Sequence, residues 1–148
     1  MITYTFDAPK VGPWVCEKAG GRYQDGNPAI GIEHDGVLIA GLYYDGYTGA
    51  SIAMHSRCDD PRHITKTFYR LIFDYPFNQL KVKRVTGIVS SANERAQRTN
   101  EKLGWKRETT LSDYFPDGEG IVYKMRREDC RWLGVGNEIQ LQTTNSVH

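Results

Sequence analysis

The sequence has no long apolar run. No segment approaches the roughly 20 consecutive apolar residues that cross a bilayer. The start, MITYTFDAPK, lacks the basic opening and apolar stretch of a secretory leader. A cytoplasmic protein with no membrane partner is the expectation. Cysteine is scarce and odd in number. Cys16, Cys58 and Cys130 lie far apart, which argues against a disulfide framework and suits a reducing compartment. An excess of one charge is missing too. Lys and Arg number 19 against 18 Asp and Glu, a net charge of +1. Bulk electrostatics therefore give no reason to expect a nucleic-acid or acidic-membrane partner. The clusters KVKR and KMRRE read as solvated strand ends. There is no internal repeat and no low-complexity tract. A last absence is local: HSRCDDPRHITK, residues 55–66, contains no glycine.

What is present is an ordinary globular composition. With 148 residues, 39% of them hydrophobic, the chain can build one sizeable core. The expected division is a single domain over 1–133 followed by a polar C-terminal tail over 134–148. MITYTF alternates Ile2, Tyr4 and Phe6 as a strand does. DAPKVGPWVCEKAGG suggests a helix capped by Asp7 and ended by Gly20-Gly21, short or broken because of Gly12 and Pro13. AIGIEHDGVLIAGLYYDGYTGASIAMH reads as three antiparallel strands, with Asp35-Gly36 as a hairpin turn and Asp45-Gly46 and Gly49 marking the next.

The period then changes. Ile64, Phe68, Leu71, Ile72 and Tyr75 form one helical stripe, which Pro76 is expected to end. RVTGIVS is a nearly continuous apolar run, as in a strand covered on both faces. In SANERAQRTNEKLGW, Ser91 and Glu94 match a capping box, and Gly104 suits the left-handed residue past a helix end. Two strands close the chain, KRETTLSDYF and GIVYKMRRE, joined through PDGEG. An α/β or α+β sheet with helices on both faces fits this order.

The glycine-free turn 55–66 has three readings. A strand feeding a helix N-terminus offers free N–H donors and partial positive charge, which suits a phosphate. Asp60 as N-cap would take those donors and repel an anion, while Arg57, Arg62, His63 and Lys66 could hold it through side chains. A capped helix with Pro61 in its first turn needs no ligand at all. Third, His55, Cys58, His63, Asp59 and Asp60 include metal-ligating types, although their spacing matches no zinc pattern and no metal site is expected. Cys58 has no His/Asp partner pattern to make it a nucleophile. Glu33 and His34 are weaker candidates for a base.

The stretch RVTGIVSSANERAQRTNEKLGWKRE resembles the second half of the GNAT acyltransferase superfamily. Asn93, Ala96, Glu101, Lys102, Leu103, Gly104 and Trp105 stand in the register of that family's Asn-x-x-Ala and Glu-Lys-x-Gly-aromatic signature. The order of the other elements matches over about residues 1–133. FDYPFNQL followed by KRVTG further resembles small GNAT-like proteins of tailed phages. The resemblance implies a mixed, mostly antiparallel sheet of about six to seven strands, with a V-shaped split between strands four and five. Acetyl-CoA would lie there as acyl donor, its pantetheine arm along strand four and its pyrophosphate at the following helix.

On that resemblance, Ala53, Met54, His55, Arg57, Arg62, His63, Thr65, Lys66, Asn93, Ala96 and Asn100 would bind the cofactor. His55 would act as base, and Tyr114 is a second catalytic candidate, reaching the cleft from the loop between the last strands. The implied function is transfer of an acetyl group to a small-molecule or protein amine by direct attack. Two departures stand out: no glycine in the phosphate turn, and Asn100 where a tyrosine is common and can serve as acid. They leave open a catalytically inactive GNAT-fold structural or binding protein, in a virion or host cytoplasm, with a protein partner or self-association.

Overall fold

In the computed structural model, residues 1–133 are described; the predicted tail 134–148 lies outside them. Ten elements follow one another: β1 (Ile2–Thr5), α1 (Ala8–Ala19), β2 (Ala29–His34), β3 (Val37–Asp45), β4 (Ser51–Cys58), α2 (Lys66–Asp74), β5 (Arg84–Ser90), α3 (Glu94–Leu103), β6 (Lys106–Phe115) and β7 (Gly118–Arg126). They form a seven-stranded sheet in the order β1-β2-β3-β4-β5-β7-β6. Every neighbouring pair is antiparallel except β4 and β5, which are parallel. The mixed sheet expected from the sequence is present, in seven strands.

The hairpin signals hold. Asp35 and Gly36 both take positive φ, 51° and 85°, as a two-residue turn between twisted strands requires. Gly104 ends α3 at φ 103°. The main core lies on one face of the sheet, where α2 supplies Phe68, Leu71, Ile72 and Phe73 and the strands supply Ile32, Tyr44, Val85 and Tyr123. On the other face, α1 packs over β2 and β3 through Val11 and Val15, both fully buried.

Three expectations need correction. The first helix is neither short nor broken: α1 runs 12 residues straight through Pro13. A mid-helix proline costs about 3 kcal/mol. Two buried valines return roughly 1.5–3 kcal/mol each. Close seating makes that burial complete, because Val11 sits over the cross-strand glycine pair Gly31 and Gly41, where an added Cβ would lie 2.9 Å from its methyls. Gly12 likewise admits the Tyr23 ring, which a Cβ would strike at 2.1 Å.

Pro76 does not end the second helix. The chain continues through a π-helical turn over Tyr75–Gln79. Leu80 donates its N–H to the Tyr75 carbonyl at 3.0 Å. The Ile72 carbonyl, which a proline four residues on cannot serve, accepts instead from the buried Tyr44 hydroxyl at 2.6 Å. Finally, the Ser91–Glu94 capping box does not form. Asn93 is the N-cap of α3, its side chain accepting from the Ala96 amide at 3.1 Å, and the Ser91 hydroxyl accepts from the Glu119 amide.

Candidate functional site

Strands β4 and β5 run together for only three residue pairs: Ser51 with Arg84, Ile52 with Val85, and Ala53 with Thr86. Beyond Ala53, β4 stays paired with β3 out to Cys58, while β5 stays paired with β7 out to Ser90. The two strands therefore diverge as a V, and the β4 edge from Met54 to Cys58 has no strand partner among the described residues. Ala53 closes the split, Met54 packs against the main core, and His55 faces the α1 side, directly across from Tyr43 of β3.

His55 is held on two sides. Its Nε2 lies 2.7 Å from a carboxylate oxygen of Asp45, the last residue of β3. Its ring stacks on Tyr43, with centroids 4.8 Å apart and planes 25° from parallel. Tyr43 is itself buried, with the Cys16 thiol donating to its hydroxyl at 3.5 Å and the Tyr23 ring edge-on at 5.8 Å. Burial is the main reason the Tyr43 hydroxyl keeps its proton far above the usual range, helped by the Cys16 hydrogen bond.

The turn after β4 contains two forked Arg–Asp pairs. Arg57 donates to both carboxylate oxygens of Asp59, at 2.9 and 2.8 Å. It also donates to the Trp14 carbonyl at 2.8 Å and to Glu17 at 3.1 Å, and its guanidinium lies 3.9 Å over the Trp14 ring. Arg62 pairs in the same forked way with Asp60, both contacts 2.9 Å, and its guanidinium has no other partner among the described residues. Each pair holds its carboxyl below the ordinary aspartate range through the arginine hydrogen bonds.

Asp60 does act as a cap, but of a separate 3-10 turn, Pro61–His63, where it accepts from the Arg62 amide. The long helix starts later, at Lys66, with Thr65 as its N-cap. The Thr65 hydroxyl accepts from the Phe68 amide at 3.3 Å and meets the Tyr4 hydroxyl at 2.9 Å. The amides of Asp59 and Asp60 both donate to the Ile39 carbonyl. Those of Lys66 and Thr67, the first two of α2, have no carbonyl to reach by helix geometry. The His63 ring packs against that of His34, centroids 4.6 Å apart and planes tilted by 43°.

The remaining candidates are dispersed. Asn93 and Ala96 meet each other in the α3 cap, and the Asn100 carbonyl accepts from Gly104 and Trp105 at the same helix's end. Tyr114 is not in a loop. It lies on β6 beside a bulge, half exposed, its ring over Gly120 of β7. Strands β5 and β7 thus stand between Tyr114 and His55. Desolvation pushes the Cys58 thiol above its ordinary value, which keeps it protonated. Among the described residues no three metal-ligating side chains converge, because Asp59 and Asp60 face their arginines and the histidines turn elsewhere. Glu33 is taken up by Lys10. The sequence reading missed Asp45, Tyr43, Trp14 and Glu17. The sequence marks Asp45 only as part of the Asp45-Gly46 turn signal, and nothing local ties it to the histidine ten residues on.

A seven-stranded sheet with one parallel pair that splits after three residues, flanked by these helices, is the fold of GNAT acetyltransferases. A mutant form of the spermidine N-acetyltransferase SpeG from Vibrio cholerae is similar with a TM-score of 0.69 at 12% identity, over 90% of this chain and 96% of that one. A provisionally assigned acetyltransferase from T. thermophilus gives 0.61 at 24% identity, over 80% of this chain and 68% of that one. A GNAT-family acetyltransferase from Bacillus anthracis gives 0.53 at 18% identity, over 70% and 67%. At these identities the likeness is one of fold. No protein-family profile matches the chain, and no curated protein matches it. Among the described residues no helix is long and apolar enough to cross a membrane.

Proposed function

We propose that this chain is an N-acyltransferase that moves the acetyl group of acetyl-CoA to an amine by direct attack. The observation that carries the reading is the end of β4–β5 pairing at Ala53, which leaves a strand edge unpaired inside a sheet. Backbone N–H and C=O groups need partners, and the pantetheine arm offers amides in an extended chain at strand-like spacing. Ala53, Met54 and His55 stand at the closed end of the split, where the thioester would lie. Exposed Arg62, with Lys66, His63 and the first amides of α2, would receive the pyrophosphate at the open end. Arg57 is already saturated by Asp59, Glu17 and Trp14, so its part there is to fix the turn. Thr65 and Asn93 act as helix caps that set the two walls. The acceptor is a small-molecule or protein amine, approaching from the α1 face where His55 lies.

Titration of acetyl-CoA into pure, metal-free protein by calorimetry tests this. Saturable micromolar binding, weakened several-fold by Arg62→Ala, is the expected result. Absence of binding at millimolar acetyl-CoA would sink the reading. Release of free CoA thiol in the presence of a panel of primary amines then identifies the acceptor class.

A further inference from the structure

The Asp45–His55 pair has a chemical asymmetry that the fold alone does not require. A carboxylate beside an imidazole accepts a proton but cannot donate one. Nε2 faces it at 2.7 Å, so the proton sits on Nε2. The stack on buried Tyr43 fixes the plane of the ring. No hydrogen bond reaches Nδ1 from the described residues, and about a third of the side chain is exposed. The ring therefore presents one lone pair, in a fixed orientation, two residues past the last β4–β5 pair.

We propose that Asp45 is a positioning residue that locks His55 in the Nε2–H tautomer, so that Nδ1 receives the proton of the attacking amine. The proposal rests on the acyltransferase reading. In the step, the amine nitrogen forms a C–N bond to the thioester carbonyl carbon. The C–S bond breaks, and its electron pair leaves on sulfur. The nitrogen's proton passes to Nδ1 and from there neutralises the thiolate. Nothing is oxidised or reduced.

The surroundings leave this pair isolated from competing partners. From β3, Asp45 and Tyr43 face the ring, with Cys16 of α1 behind the tyrosine. On β4 itself the next same-face side chain is Arg57, held by Trp14, Glu17 and Asp59. Across the split, β5 presents Thr86 and Ile88 on this face. Lys124 of β7 beyond them is engaged by Glu108.

Nitrogen-15 NMR of the histidine rings tests the tautomer without any acceptor, the His55 signals being those lost in His55→Gln. At a pH where the ring is neutral, His55 should show the proton on Nε2, and Asp45→Asn should convert it to a mixture or to the other tautomer. In the amine assay, Asp45→Asn should lower kcat by ~10²-fold, leave acetyl-CoA affinity unchanged, and add little to the loss in His55→Gln. Asp45→Glu should restore part of the rate. A wild-type Nδ1–H tautomer, or a tautomer unmoved by Asp45→Asn, overturns the proposal while leaving the acyltransferase reading standing. Failure of acetyl-CoA to bind the wild type overturns both.

Discussion

Arg57–Asp59 and Arg62–Asp60 are chemically the same pair, each joining an arginine to an aspartate two residues away through two N–H···O contacts of 2.8–2.9 Å. What lies behind them differs. The Arg57 side chain is 12% exposed, packed against Trp14, whereas Arg62 is 79% exposed with only Asp60 for company among the described residues. A forked ion pair in water contributes little, because solvent screens it and the side chains lose freedom. The same fork over an indole ring, also donating to a main-chain carbonyl, joins helix α1 to strand β4. One pair therefore belongs to the fold, and the other lies exposed on the surface, as the proposed phosphate contact requires.

That contrast can be broken in order of effect. Arg57→Ala removes the Trp14 stack and the hydrogen bonds that tie β4 to α1 at Trp14 and Glu17, so a loss of about 2–3 kcal/mol is expected in urea unfolding. Thr65→Ala deletes the α2 cap and the contact to Tyr4, and should cost ~1 kcal/mol. Arg62→Ala should leave the unfolding midpoint close to wild type while weakening acetyl-CoA binding several-fold in the same titration. A midpoint as low as that of Arg57→Ala would erase the distinction between the pairs.

The smallest effect concerns acid. The Asp59 carboxyl is held below its ordinary value of 3.8 by the Arg57 hydrogen bonds. A depressed carboxylate stabilises the fold above that value and loses its contribution as pH falls through the folded-state pKa. Wild type should therefore exceed Asp59→Asn in thermal midpoint at pH 5–7, and the two curves should converge in stronger acid. Curves that stay parallel down to strong acid would show that Asp59 contributes by shape and not by charge.

Much of the fold was legible because local signals and burial agreed. Asp35-Gly36, Gly104 and the Phe68–Leu71–Ile72 stripe each ask for one conformation, and the packing supports it. The errors fell where a tertiary partner outvoted a local rule. Pro13 and Pro76 looked like breaks; Val11 and Val15 hold the first helix together, and the Tyr44 hydroxyl satisfies the carbonyl that Pro76 leaves free. Ser91 and Asn93 are both good caps, and only the position of β7 decides that Ser91 serves Glu119. In the site, His55 and the phosphate turn could be found from their order along the chain. Asp45 could not, because its bond to His55 runs diagonally across a hairpin and depends on register. Trp14 was equally hidden, since nothing in residues 55–66 says which surface lies beneath Arg57.

The split between β4 and β5 has a further consequence. Sheet edges ordinarily invite other chains, and proteins protect them with charge, bulges or cover. Here the edge lies in a wedge between two walls of the same sheet, closed at one end after three pairs. A foreign β-strand, which needs full width along its whole length, cannot follow such a taper. The narrowing thus protects this edge by shape: no second strand can add along its whole length.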